Sequence, residues 1–380
     1  MNSASHKKIT VMHIVECAGG VDRYLKSFLK YLDREQFNTI LVCSQLYKTE
    51  EFNFCTDIVE QIQMSHNLNL KQDRESIVAL RKLIKCYSPD IVYTHSSKAG
   101  ALGRLANIGI KSKCIYNPHG WAFNMQVGRK KQIFYKFAEK LMASFCDSII
   151  CISQSEKQSA LKHKICKAEK LHVIFNGIDI TAYEKRKTEN PVTREHLHIE
   201  ENAFVVGTVG RLCQQKSPDI FVRMAHEVIK KIPQAYFLMV GSGEMEEEVL
   251  TYAKQNGFAD RLHITGWVDN PTDYIRLFDV ATLLSRWEGF GLVIPEYMLC
   301  QKPVIATEVD AIPNIINDHD NGILIPMDDW QSAGKAVCEL YDNDLLYQRL
   351  VAQGLKDVHE KYDVRRVAKE HEQIFLNLMK

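Results

Sequence analysis

The sequence predicts an α/β protein built from two Rossmann-like, doubly wound parallel-sheet domains. Three observations carry that prediction. Short aliphatic and β-branched runs alternate with segments of helical period along the 380 residues. The alternation halts in a polar stretch near residue 190 and then starts afresh. Glycine-bearing turns recur where strand-like runs give way to helical ones, as βαβ units require.

Residues 10–15 read as a buried strand and lead into Gly19-Gly20, after which Val21, Tyr24, Leu25, Phe28, Leu29 and Leu32 recur at helical spacing. Further strands are expected at 40–43, 91–94, 113–116 and 148–152. Asn176-Gly177-Ile178-Asp179 ends this series, and Lys185, Arg186, Lys187, Asn190 and Pro191 suit an interdomain linker. The second series has strands at 204–209, 236–240, 262–265, 280–284, 304–306 and 323–325. The domains are therefore placed at 1–180 and 200–361. Residues 362–380, beyond the last strand, can pack back on either domain, with the first as the assignment. Two such domains facing each other would gather their carboxyl-end loops around a central cleft.

Hydrophobic residues make up 46% of the chain and charged ones 25%, as in a globular enzyme. No apolar run approaches the roughly 18–20 residues that span a bilayer, and the first eight residues run straight into a strand rather than an export signal. A cytoplasmic protein is expected. The eleven cysteines form no Cys-x-x-Cys pair or zinc-spaced cluster and read as reduced core residues. The net charge of +1 conceals an asymmetry, with about eleven excess basic side chains over residues 1–176 and about ten excess acidic ones over the remainder. An anionic partner or surface is expected for the first half.

The most informative stretch joins the strand at 280–284 to a helix: Glu288-Gly289-Phe290-Gly291-Leu292-Val293-Ile294-Pro295-Glu296. Pro295 suits the first helical position because it has no N–H to leave unsatisfied, so Glu296 falls in the first turn while Glu288 stays on the loop. One loop can then offer two carboxylates and free backbone amides to one ligand, and the glycines admit a phosphate or sugar to the main chain. A helix that favours a glutamate in its first turn explains Glu296 as well.

Gly207-Thr208-Val209-Gly210-Arg211-Leu212 leaves a strand and reaches Lys216 ahead of Ser217-Pro218, where a helix should begin. The guanidinium fork and the mobile ammonium suit a diphosphate, although surface ion pairs could account for either alone. Gly241-Ser242-Gly243 has Glu246 where a dinucleotide fingerprint needs its third glycine, so no nicotinamide or flavin cofactor is expected. In the first domain Gly19 and Gly20 could meet phosphate or an acceptor oxygen, and His95 and His119 close strands. His119 has the stronger case, since Pro118, Gly120 and Trp121 shape its loop. Asp318-His319-Asp320 imitates a metal pair but reads as a solvated turn beside Asn321-Gly322. The segment 129–142 sets Ile133, Phe134, Phe137 and Leu141 on one helical face and lysines on the other, which fits an interfacial helix or a core-packed surface helix.

Taken together these residues resemble the retaining glycosyltransferases of family four, which have the GT-B architecture. The glutamate-x7-glutamate element, Gly210-Arg211-Leu212 with Lys216, Asn176-Gly177-Ile178-Asp179 and Pro118-His119-Gly120 stand in family order over nearly the whole chain. Thr94-His95-Ser96-Ser97-Lys98-Ala99-Gly100 and Asn117-Pro118-His119-Gly120-Trp121 further resemble the branch that builds bacterial capsular and exopolysaccharides on lipid carriers. The resemblance implies that Arg211 and Lys216 bind the nucleotide diphosphate, and that Glu288 holds donor-sugar hydroxyls. Amides around Phe290, Gly291 and Leu292 would meet the sugar or β-phosphate, Glu296 the ribose, and Gly266, Trp267 and Val268 the base. His119 would lie near the reacting ring. It implies a nucleotide-sugar donor, UDP-linked and with an N-acetylhexosamine among the candidates, and a lipid-linked glycan acceptor. No metal, cofactor or nucleic acid is implied. The mechanism implied is front-face attack, with the leaving phosphate taking the acceptor's proton. Contact of 129–142 with an anionic membrane surface, on the inner face of the cell membrane, would bring the acceptor within reach. An epimerase-hydrolase of UDP-sugars with the same fold, or a non-catalytic sugar-nucleotide sensor, is the rival reading.

Overall fold

The computed structural model of the chain describes residues 7–16, 20–65, 67–125, 127–185 and 191–380. The expected linker residues 186–190 and Gly19 of the first glycine pair lie outside the described residues. The chain divides into two units, Met1–Asp179 with Asp363–Lys380, and Ile180–Tyr362.

In the first unit the strands are β1 (Ile9–Val15), β2 (Phe37–Cys43), β3 (Ile58–Gln61), β4 (Ile91–His95), β5 (Lys113–Asn117), β6 (Ser148–Cys151) and β7 (Leu171–Val173). All pair in parallel in the order β3-β2-β1-β4-β5-β6-β7 among the described residues. Crossover helices cover both faces, which is why β1 and β4 are buried almost throughout rather than alternating. The register sets His13 beside Tyr93 and His95 beside Asn117. The edge strands β3 and β7 are absent from the sequence reading. They are four and three residues long, and β3 reads Ile-Val-Glu-Gln with no fully buried position.

One face of this sheet is covered by Gly20–Lys30 and by the chain's last helix, Val364–Leu378. Tyr24, Leu25, Phe28, Val364, Val367 and Phe375 join Val11 and Val15 in one buried cluster. Burying each large apolar side chain there contributes roughly 1.5–3 kcal/mol. The return of the chain is fastened by Val364, whose N–H donates to the Ile178 carbonyl at 3.0 Å. Asp179 beside it accepts from Lys30 Nζ and the Tyr31 hydroxyl, each at 2.7 Å.

The second unit repeats the plan with β8 (Phe204–Val209), β9 (Ala235–Val240), β10 (Leu262–Ile264), β11 (Val280–Leu283), β12 (Val304–Thr307) and β13 (Ile323–Ile325). All are parallel, in the order β10-β9-β8-β11-β12-β13. Helix Pro218–Lys231 contributes Ile220, Phe221, Met224, Ala225 and Val228 to the core with Val206, Phe237 and Val280. The order reverses between β8 and β11 here, and between β1 and β4 in the first unit. Open parallel sheets bind ligands at the carboxyl ends of such strands.

Candidate functional site

At the carboxyl end of the second sheet the loop after β8 and the loop after β11 are tied together. Lys216 Nζ donates to Glu288 Oε2 at 2.5 Å, and the Ser285 hydroxyl donates to the same oxygen at 3.2 Å. Oε1 of Glu288 takes no bond among the described residues, so one carboxylate oxygen is held and the other is open to a hydroxyl. Of the three ammonium donors on Lys216, Glu288 uses one, which leaves two for a further anion. The lysine stem lies against Gly210, where an added Cβ would sit 3.4 Å from Lys216 Cγ. Gly241, after β9, is pressed closer still: a Cβ there would lie 2.1 Å from the Gly210 carbonyl oxygen, so no other residue fits. Gly241 also bridges Gly266 beyond β10, so Gly210, Gly241 and Gly266 stand side by side across three strand ends.

Arg286, unremarked in the sequence, holds the two loops in register. Its guanidinium donates two bonds to Asp219, at 3.1 and 2.6 Å, one to Asp328 Oδ1 at 2.7 Å and one to the Gln214 carbonyl at 3.0 Å. Its backbone N–H reaches Gln215 O at 2.8 Å, and Gln215 Nε2 returns a bond to Trp287 O at 3.0 Å. The fork geometry is what a lysine could not supply. Its place two residues before Glu288 was the available signal.

The helix after this loop spans Val293–Leu299, so Pro295 is its third residue and not its first as the sequence reading has it. The first four helical N–H groups have no intrahelical acceptor, so proline is tolerated at either position. Glu296 lies in the first turn as expected and is buried at 2% exposure. Next to it Tyr297 accepts from Val209 N–H at 2.7 Å and donates to Thr282 O at 3.3 Å, pinning the helix to the ends of β8 and β11. Burial and then the Glu296 and Glu288 carboxylates push its phenol well above the ordinary range. Gly291 turns the loop at φ +86, Phe290 is buried against Tyr362, and Asp310 Oδ2 accepts from Glu288 N–H at 2.9 Å. Burial, with Glu288 adding to it, raises the Asp310 carboxyl.

Not every expected residue joins this group. Arg211 is exposed on the same loop, beside Cys213 and Glu244 rather than Lys216 and Glu288. Trp267 is 78% exposed beyond Gly266, and Val268 and Leu292 are half-buried. Asp318 and His319 form a turn as expected, with Asp318 accepting from Leu324 N–H and His319 N–H reaching Gly322 O.

The first sheet ends in a different kind of cluster. His13 on β1, His95 closing β4 and His119 beyond β5 form a chain: His13 Nδ1 lies 3.1 Å from His95 Nε2, and His95 Nδ1 lies 3.0 Å from His119 Nε2. His13 and His95 are fully buried and His119 is half-buried. A second chain starts on the last helix. His371 Nδ1 donates to Val367 O at 2.8 Å, which leaves Nε2 to accept from the Tyr93 and Tyr24 hydroxyls at 3.0 and 3.1 Å. Tyr93 oxygen accepts from Asn117 Nδ2 at 3.4 Å, and Asn117 Oδ1 accepts from His119 N–H at 3.0 Å. This holds His119 at φ +50, a left-handed conformation that a non-glycine residue keeps only when its surroundings enforce it. Burial lowers the imidazoles of His13 and His119 to about 3 and that of His371 to about 4, and it holds that of His95 well below the ordinary range.

Beneath the His119 loop, Trp121 Nε1 donates to Glu156 O at 3.0 Å, and the buried Glu156 carboxylate takes Ile152 N–H at 2.8 Å. Burial raises this carboxyl to about 8, against the backbone donors of Ile152 and Gly120. Ser153-x-x-Glu156 is a capping-box signature, and Ser153 Oγ accepts from Glu156 N–H at 3.1 Å. His13 was legible as the one ionisable residue in β1; His371 had no local mark. Gly20 opens helix Gly20–Lys30 rather than lying in the turn before it.

The helix Arg129–Met142 buries only Glu139 and Met142. Ile133, Phe134, Phe137 and Leu141 are 54–68% exposed, so the core-packed alternative for this face is excluded. No described helix is long and apolar enough to cross a membrane.

Residues 18–182 match the family described as Glycosyltransferase Family 4, and residues 203–343 match Glycosyl transferases group 1. The chain is 29% identical over 352 residues to the Escherichia coli UDP-Gal:alpha-D-GlcNAc-diphosphoundecaprenol alpha-1,3-galactosyltransferase, covering 90% of each chain. It is 23% identical over 382 residues, 98% of each, to the Staphylococcus aureus capsular polysaccharide biosynthesis glycosyltransferase CapM. Its fold is similar to that of Anabaena HepE, solved in complex with UDP, at a TM-score of 0.80 and 19% identity over 97% of this chain and 100% of that one.

Proposed function

The chain belongs to the family-four glycosyltransferases, with their GT-B fold, and on that premise we propose that it transfers a sugar from a UDP-sugar to a lipid-pyrophosphate-linked glycan in bacterial surface-polysaccharide synthesis, with retention at the anomeric carbon. The observation that carries the proposal is the Lys216–Glu288 pair beneath the three aligned glycines. It offers an ammonium to a departing diphosphate and, on the same scaffold, a carboxylate oxygen to a sugar hydroxyl. Arg211 adds a second cation at the mouth of the loop.

In the proposed reaction Lys216 and Arg211 bind the diphosphate and stabilise the charge that grows on it as the glycosidic bond breaks, which electrostatic catalysis rewards most in a water-poor site. Amides around Phe290, Gly291 and Leu292 face the sugar or its phosphate. Glu296 accepts the ribose hydroxyls, and Gly266, Trp267 and Val268 flank the base. Oxygen of the departing phosphate takes the acceptor hydroxyl's proton as that hydroxyl attacks from the same face. His119 is the first-unit residue assigned to the sugar in this proposal. The named relatives act on a diphosphoundecaprenol-linked sugar and in capsule synthesis, which supports the acceptor class.

The exposed apolar face of Arg129–Met142, framed by Arg129, Lys130, Lys131, Lys136 and Lys140, supports docking on an anionic membrane, where each basic residue adds about 1 kcal/mol. Two experiments test the proposal. Product analysis with UDP-, GDP- and ADP-sugars and a lipid-pyrophosphate acceptor should give an α-linked product from a UDP-sugar; hydrolysis or epimerisation alone would replace transfer with the rival activity. Binding to anionic vesicles should exceed binding to neutral ones, weaken with salt, and vanish when Lys130, Lys131 and Lys136 are changed to glutamate.

A further inference from the structure

The His13–His95–His119 chain has a property that none of its members has alone. A neutral imidazole carries one N–H and one lone pair. Two hydrogen bonds in series through three neutral rings therefore leave two arrangements. In one, every ring is protonated at Nδ1: His13 donates to His95 Nε2, His95 donates to His119 Nε2, and His119 is left with Nδ1–H. In the other, every ring is protonated at Nε2, both bonds reverse, and His119 is left with a bare Nδ1. The inner end of the chain chooses between them. His13 Nε2 is buried without a partner among the described residues, with the Phe28 ring edge-on at 5.8 Å and the Tyr93 ring at 5.2 Å. An orphaned buried N–H is rarer and costlier than an unfilled lone pair. The first arrangement leaves a lone pair there, and the second strands an N–H.

We infer that His13 and His95 are positioning residues that fix His119 as a neutral imidazole with its proton on Nδ1, aimed as a hydrogen-bond donor at an oxygen of the bound ligand. Nδ1 of His119 has no protein partner among the described residues, while its Nε2, its backbone N–H and its ring, edge-on to Tyr24 at 5.1 Å, are all engaged. The ring is thus held on three sides with one donor free. That the oxygen belongs to a sugar rests on the transferase reading; the tautomer does not.

The test reads the tautomer directly. In the full chain labelled with 15N-histidine, long-range proton–nitrogen correlation at neutral pH should show Nδ1–H and bare Nε2 for His13, His95 and His119. An Nε2–H form or an imidazolium at His119 or His95 overturns the inference. His13→Leu removes the donor to His95, and His119 should then show a mixture of both tautomers; an unmixed Nδ1–H form in a folded His13→Leu protein means that His13 does not set it. Should that variant fail to fold, the wild-type spectrum decides alone. The spectrum needs no substrate, so absence of transfer activity would remove the proposed function and leave this inference standing.

Discussion

The two sheets share one strand order over six strands, the first adding β7 at its edge, and their carboxyl ends are furnished in opposite ways. The first ends in imidazoles and phenols, uncharged and largely buried, joined to one another by hydrogen bonds. The second ends in ions: Lys216 with Glu288, and Arg286 with Asp219 and Asp328, all partly open to solvent. Topology therefore chooses where a ligand goes and leaves its chemistry to the loops. A neutral end positions oxygens without competing for charge, whereas the charged end is suited to a diphosphate.

Acid should separate the two units most strongly. The folded-state values of His13, His119 and His371 lie near 3, 3 and 4, and that of His95 lies well below the ordinary 6.5. The unfolded chain therefore binds protons first, and the stability these rings contribute is complete above about pH 6.5 and lost as pH falls toward their folded values. By pH 5 each of His13, His119 and His371 costs about 2 kcal/mol, and His95 acts in the same direction. Glu156 opposes this, since its raised value makes the folded state the better proton binder between about 4.5 and 8, and it returns about as much as one imidazole. Hydrogen-exchange protection in β1, β4 and β5, taken relative to the intrinsic rate at each pH, should fall between pH 7 and 5 before that in β8 and β9. Simultaneous loss in both units would erase the contrast.

At the charged end Lys216→Ala should lower kcat/KM by about 30- to 1000-fold, equivalent to roughly 2–4 kcal/mol of transition-state stabilisation. Arg211→Ala should act in the same direction. Steady-state kinetics with the UDP-sugar, alongside circular dichroism to show an unchanged fold, decides it; wild-type turnover in both variants would leave the diphosphate without its proposed partners.

A smaller effect is expected from Arg286→Lys, which keeps the charge and loses the fork. The loop at 214–216 would loosen against Glu288, and kcat/KM should fall by about tenfold, the size of one lost charge-assisted bond. Unchanged kinetics would mean that Lys216 and Glu288 hold their geometry without it.

What the sequence disclosed follows the same division. All six strands of the second sheet could be read, because each is a clean apolar run between turns, and Lys216 and Glu288 could be read because glycines mark their loops. The edge strands β3 and β7 could not: β3 ends in Glu60 and Gln61 with no fully buried position, and β7 is three residues around His172. Arg286 was hidden by its commonness: an arginine before a glutamate looks like surface until Asp219, 67 residues earlier, is seen against it. His371 was hidden by distance, being 278 residues from Tyr93, so only the return of the last helix unites them. Pairings of high sequence separation leave no periodic trace.

Chelation should change nothing at either end. If Lys216 and Arg211 carry the neutralising charge that a divalent ion would otherwise supply, excess EDTA should leave transfer from the UDP-sugar at its untreated rate, and added Mg²⁺ or Mn²⁺ should not raise it. The first end cannot substitute, because its imidazoles are neutral and their nitrogens largely committed to one another. Initial rates across a chelator titration measure this directly. A strict metal requirement would mean that the two cationic side chains do not suffice for the diphosphate, and the charged end would then have to be read as half of a site that an ion completes.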